Sequence, residues 1–154
     1  GLTMDNVYIE SVVAVLDKQG IKAQAAEPEM YFVMCGDQVV ILDFRNETAL
    51  KVVSPIPQGV SSESRQAPWL YNTSQTASSY LFQHGLPGAL LIITNPPDMK
   101  LMFSATTPYL DSDAVAIWIQ AVIAGIAALA PKVKAFLLKC TDGSAVIEDA
   151  LIEE

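Results

Sequence analysis

Charged side chains are scarce in this chain. Asp, Glu, Lys and Arg supply 17% of its 154 residues while 51% are hydrophobic, against about 25% charged in an average soluble domain. So few charges cannot coat a whole surface, and some apolar surface is expected to meet a protein partner or a second copy of the chain. Cations are scarcer still, with 9 basic residues against 17 acidic ones and a net charge of −8. Such a chain repels polyanions, so no nucleic acid and no anionic membrane surface is expected among its partners.

Histidine and cysteine are almost missing. A Ser-His-Asp or Cys-His site would have to use His84, the one histidine, and no GxSxG elbow presents a nucleophile to it. Cys35 and Cys140 are far apart without a CxxC pair, which predicts two buried free thiols in a reducing cytoplasm and no zinc site. Neither GxGxxG nor GxxxxGK occurs, so dinucleotide and P-loop phosphate binding are not indicated and no cofactor is expected. The opening GLTMDNVYIE lacks a basic stretch followed by an apolar one, so no signal peptide is expected.

What the chain has in quantity is apolar sequence. AVAIWIQAVIAGIAALA, residues 114–130, carries no charge and one strongly polar side chain, Gln120. A membrane-spanning helix needs about 20 such residues, and this run meets Pro131 after seventeen. With 3.6 residues per turn, Val115, Trp118, Ile119, Val122, Ile123, Ile126 and Leu129 cluster on one side, and Ile117, Gln120, Ala121, Ala124 and Ala128 lie opposite. A bulky face suits packing on a sheet and a small face admits a second backbone, so a doubly covered core helix is expected, capped by Asp111 or Asp113. Pro131 is expected to start a further helix through KVKAFLLK, followed by Val146, Ile147, Ala150 and Leu151 at helical spacing. That C-terminal segment or a second subunit is expected to cover the small face.

Helical spacing of Ile9, Val12, Val13 and Leu16 predicts a helix over 5–19, capped by Thr3 or Asp5 and ended by Gly20. MYFVMC (30–35), VVILDF (39–44) and ALKVVSPI (49–56) read as strands joined by links too short for a crossover, hence an antiparallel meander. Pro55 and Pro57 are expected to end it, leaving 58–66 as a surface loop. Trp69, Leu70, Thr73, Ala77, Tyr80 and Leu81 form a stripe on a helix over 67–84, with Pro68 in its first turn and Gly85 at its exit. ALLIIT (89–94) and the strand from Lys100 to Ala105 flank NPPD, a turn signal, with Leu101, Phe103 and Ala105 on one face and Lys100, Met102 and Ser104 on the other.

The expected fold is therefore a single α+β domain over 1–154. It has an antiparallel five-stranded sheet (three-strand meander plus hairpin), helices packed on one face, the order α-βββ-α-ββ-α and a C-terminal helical extension. Three stretches then stand out: VVILDFRNETALKVVSPIP, HGLPGALLI and YLDSDAVAIWIQAVIAGI. With this element order they resemble the YbjN-like family and the bacterial type III secretion chaperones over about residues 3–138. The resemblance implies a small acidic domain, commonly a homodimer, that binds other proteins and has no catalytic residues.

Two surfaces are candidates for binding. The small face formed by Ile117, Gln120, Ala121, Ala124 and Ala128 is the candidate protein interface, and Trp69, Tyr71 and Phe82 are the candidate lining of a pocket for a small hydrophobic ligand. Asp43 and Arg45 share a strand face two residues apart and are expected to pair, and His84 is expected to sit at a helix end. The expected function is non-enzymatic protein binding, regulatory or chaperone-like, acting through an apolar sheet and helix surface, with carriage of a small hydrophobic ligand in a pocket between the sheet and the second helix as the alternative.

Overall fold

The structure, a computed structural model, describes residues 5–143. Helix α1 (Asn6–Lys18) starts where the Asp5 carboxylate accepts from the Val7 amide at 2.7 Å, and Gly20, at φ 83°, turns the chain out of it. Its buried stripe is Ile9, Val12 and Leu16. Six strands follow around two further helices: β1 (Gln24–Glu27), β2 (Met30–Cys35), β3 (Gln38–Asp43), β4 (Ala49–Ser61), α2 (Ala67–Gln83), β5 (Ala89–Asn95), β6 (Asp98–Pro108) and α3 (Ser112–Asp142). All neighbours are antiparallel and the sheet order is β1-β2-β3-β4-β6-β5.

The sheet thus has six strands, not five. β1 escapes the sequence pattern because QAAE has no alternation and no branched residue, and all four of its side chains are exposed. The meander also does not stop at Pro55. β4 runs on to Ser61, so residues 58–61 belong to a strand and not to the expected loop. A proline needs no ladder partner for its nitrogen, and the side chain of Gln38 satisfies the Pro55 carbonyl at 2.7 Å where the β3 backbone pairing has ended. A register shift between Pro55 and Gly59 accommodates Pro57.

Burial alternates along β6: Met99, Leu101, Phe103, Ala105 and Thr107 point inward, while Lys100, Met102, Ser104 and Thr106 do not. The inward face joins all three helices in one core. α3 lies centrally on it, with Val115, Ile119, Val122, Ile126 and Leu129 fully buried, as the bulky face predicts, and Trp118 and Ile123 half-buried at the margins. Gly125 lets α2 approach: a Cβ there would stand 2.6 Å from Leu81 Cδ2.

Pro131 starts no new helix, because α3 passes straight through it for 31 residues. An interior proline removes one hydrogen bond and costs about 3 kcal/mol. Buried contacts on both sides of it, from Leu129 and Ala130 to Val133, Phe136 and Leu137, hold the helix together. Pro131 and Ala127, whose carbonyl loses its donor, both face solvent. By length and composition α3 is long and apolar enough to cross a bilayer; in this structure its residues from Val115 to Cys140 contribute a buried stripe to the core.

β5 is an outer strand whose edge is guarded at one point. Leu90 directs its N–H and C=O away from β6, where the Ser78 hydroxyl accepts at 3.0 Å and the Ser74 hydroxyl donates at 2.7 Å. Such capping blunts an edge that could otherwise pair with another chain.

Candidate functional site

The small face of α3 is largely open. Ile117 is 62% exposed, and Ala124 and Ala128 are exposed as well. Gln120 and Ala121 are half-buried, and the Gln120 amide donates to the Gln19 side chain just after α1. The strip continues through Pro131 and Ala135 to Leu138, 55% exposed. Val146, Ile147, Ala150 and Leu151, expected as a cover for it, lie outside the described residues.

The three aromatics expected to line a pocket do not converge. Trp69 turns inward, its ring centroid 6.4 Å from that of Phe136. Tyr71 and Phe82 are 59% and 84% exposed on another flank, and at 1.5 Å per residue they stand about 16 Å apart along the helix. Between the sheet and the helices, a cavity beside Leu81, Phe103, Val122 and Ile126 measures only about 10 Å³. Small-molecule sites occupy about 300 Å³ or more. This cavity has no room for such a ligand.

Asp43 and Arg45 do pair, through Nε to Oδ1 at 3.0 Å and Nη2 to Oδ2 at 2.9 Å. The Arg45 guanidinium holds the Asp43 carboxyl below its ordinary range. The pair lines an open basin with Asn46, Ala49, Lys51 and Thr106. His84 caps the end of α2, its Nδ1 2.8 Å from the Tyr80 carbonyl and its ring stacked on the Tyr80 ring. Cys35 is half-buried and Cys140 buried, both as free thiols, and burial pushes the Cys140 thiol up to about 11. Among the described residues no three His, Cys, Asp or Glu side chains gather as a metal site.

A further apolar surface is the sheet face that the helices leave uncovered. Cross-strand register aligns Phe32, Ile41, Val53, Ser104 and Ala89 in one row. Beside it run Met34 with Val39, and Pro55 with Met102 and Leu91. Met34 is 50%, Leu91 42%, Ile93 43% and Val39 38% exposed. The interior of this field carries no charge; Asp43 and Lys51 stand at one end, Lys100 at the other. These residues were not among the expected site residues. The signal was the lack of alternation in MYFVMC, VVIL and ALLII, which makes both faces of each strand apolar.

No protein-family model matches this chain, and no curated protein matches it.

Proposed function

We propose that this chain is a non-enzymatic protein-binding domain, regulatory or chaperone-like, that docks another protein on the uncovered face of its sheet, with the open strip of α3 as a second apolar surface. The observation that carries this reading is the pair of uncharged cross-strand rows through Ile41 and Val53 and through Pro55 and Met102. Antiparallel sheets that face water normally alternate apolar-in with polar-out. Here the outward residues are apolar too, and burying them releases about 25 cal/mol for each Å² removed from water. The partner this surface fits is a protein presenting an apolar, uncharged face or extended segment.

No catalytic role is proposed for Asp43 or His84, since each is engaged by its own neighbour, Arg45 and Tyr80. No cofactor and no membrane insertion belong to this reading, and the two free thiols fit a reducing cytoplasm.

A photo-reactive amino acid at position 39, on the open sheet face, tests it against one at position 10, an exposed α1 residue away from both apolar surfaces. Expression in the source cells is expected to yield a discrete cross-linked partner from position 39 only. Ile41→Asp is expected to abolish that adduct while leaving the circular dichroism spectrum unchanged. Adducts of equal yield from both positions, or an adduct that survives Ile41→Asp, overturn the reading.

A further inference from the structure

The basin at one end of the open sheet face is lined by hydrogen-bond donors. Asp43, Lys51 and Thr106 stand in one row across β3, β4 and β6, and Arg45 and Asn46 close its end. The Asp43 carboxylate already accepts from the Arg45 backbone amide at 3.0 Å, from Nε at 3.0 Å and from Nη2 at 2.9 Å. The acidic group of the lining is therefore satisfied. Lys51 is exposed and has no ion-pair partner among the described residues, and the exposed Thr106 hydroxyl has no hydrogen-bond partner among them. Asn46 Oδ1 accepts from Thr48 and Ala49, which leaves its NH2 group to donate.

Charge narrows what these donors can hold. Arg45 and Lys51 against Asp43 leave the lining with one positive charge, in a chain whose net charge is −8. Glu27 and Glu29 act on Arg45 from beyond the basin, so a second negative charge on a ligand meets repulsion. A monoanion neutralises the lining, whereas a phosphate group, at about −1.5 to −2, exceeds it. Carboxylate is the monoanion whose oxygens suit guanidinium and ammonium donors. The basin, about 540 Å³ and open to solvent, admits a side chain.

Its place on the sheet says what that carboxylate belongs to. Two residues along from Lys51 and Thr106 lies the apolar row through Ile41, Val53 and Ser104, and two further the pair Pro55 and Met102. Two residues of strand rise about 7 Å, the spacing of side chains i and i+2 on one face of any extended segment. A segment laid along β4 with a carboxylate over Lys51 thus brings its next side chains on that face over Val53 and Pro55. We infer that the basin holds an acidic side chain of the docked protein, two residues before the apolar side chains that cover the sheet. This rests on the reading that the open sheet face docks a partner, and it fixes the register of that docking.

Amide-detected NMR titration of the full chain with three blocked peptides tests it. The first is acetyl-Glu-Ser-Val-Ser-Val-amide, the second carries Gln in place of Glu, and the third, acetyl-Ser-Glu-Val-Ser-Val-amide, turns the carboxylate to the face opposite its valines. The contribution of an exposed ion pair is modest, so the first is expected to bind about two- to fivefold more tightly than the others and to shift the Lys51 and Thr106 amides. Lys51→Gln, at an exposed position, is expected to bring all three to one affinity. Equal affinities in the unsubstituted protein, a preference that persists in Lys51→Gln, or no shift at Lys51 and Thr106 with any peptide at millimolar concentration overturns the inference. So does inorganic phosphate displacing the first peptide at a lower concentration than acetate does. Binding that ignores the carboxylate but is lost in Ile41→Asp overturns the acidic register alone and leaves the docking reading standing. A carboxylate preference without any adduct from position 39 does the reverse.

Discussion

Gln38 and Ser54 meet inside the sheet: the Gln38 amide donates to the Ser54 hydroxyl at 2.7 Å, and that hydroxyl donates to the Val39 carbonyl at 2.6 Å. Both side chains are buried in a largely apolar face. Their bonds tie β3 to β4 where the ladder between these strands has ended and Pro55 offers no amide. Removing the hydroxyl leaves a buried amide and a carbonyl short of a partner, at a cost of about 1–3 kcal/mol. Ser54→Ala is expected to lower the unfolding free energy by that amount, seen as a lower urea midpoint with no change in the slope of the transition.

The edge cap makes a second prediction. Ser78→Ala strips the Leu90 amide of its acceptor, and is expected to cost about 1–3 kcal/mol in urea unfolding. The double variant Ser74→Ala/Ser78→Ala frees both outward groups of Leu90 and lengthens the open edge. It is expected to form larger aggregates in light scattering than the unsubstituted protein, as unguarded edges do.

Pro131 is a stabilising target. Its ring interrupts α3 at a solvent-facing position, and its neighbours in the helix are already packed. Pro131→Ala restores the hydrogen bond to Ala127 and removes a penalty of about 3 kcal/mol. A rise in unfolding free energy approaching that size is expected; a loss would mean that the proline ring makes contacts of its own.

Tyr109 governs an alkaline limit. Its hydroxyl donates to the Asn46 and Phe44 carbonyls, and its ring meets Tyr8 edge-on. Burial first, then the charges of Asp43, Tyr8 and Glu29, push its ionisation up to about 12 from 10.0. The folded state therefore favours the neutral phenol. This contribution is complete below pH 10 and is lost as pH rises toward 12. The melting temperature is expected to fall across that window, and less so in Tyr109→Phe. In an ultraviolet titration Tyr109 is expected to ionise at the high-pH end of the tyrosines.

Much of the layout was legible because local patterns and tertiary packing agreed. Ile9, Val12 and Leu16 stood at helical spacing and became the buried stripe of α1; Leu101, Phe103 and Ala105 alternated and became the inner face of β6. The candidate site was legible only in part. Tyr71 and Phe82 looked like pocket residues because aromatic side chains are costly to expose, yet they lie on a flank that the core does not reach. An apolar sheet surface was expected, but its rows through Ile41 and Val53 were not legible residue by residue, since a fully apolar strand reads as one buried on both faces.

Sequence alone determined the helical stripes, the antiparallel links, the hairpin at Asn95–Asp98 and the acidic, nearly histidine-free chemistry, all of which follow from spacing within a few residues. Tertiary contacts decided the rest. Exposed β1 exists because β2 offers it a ladder, β4 survives two prolines because Gln38 and β6 flank it, and α3 survives Pro131 because its buried side is anchored above and below. In each case the local cost is offset by partners distant in sequence, which no window of neighbouring residues contains.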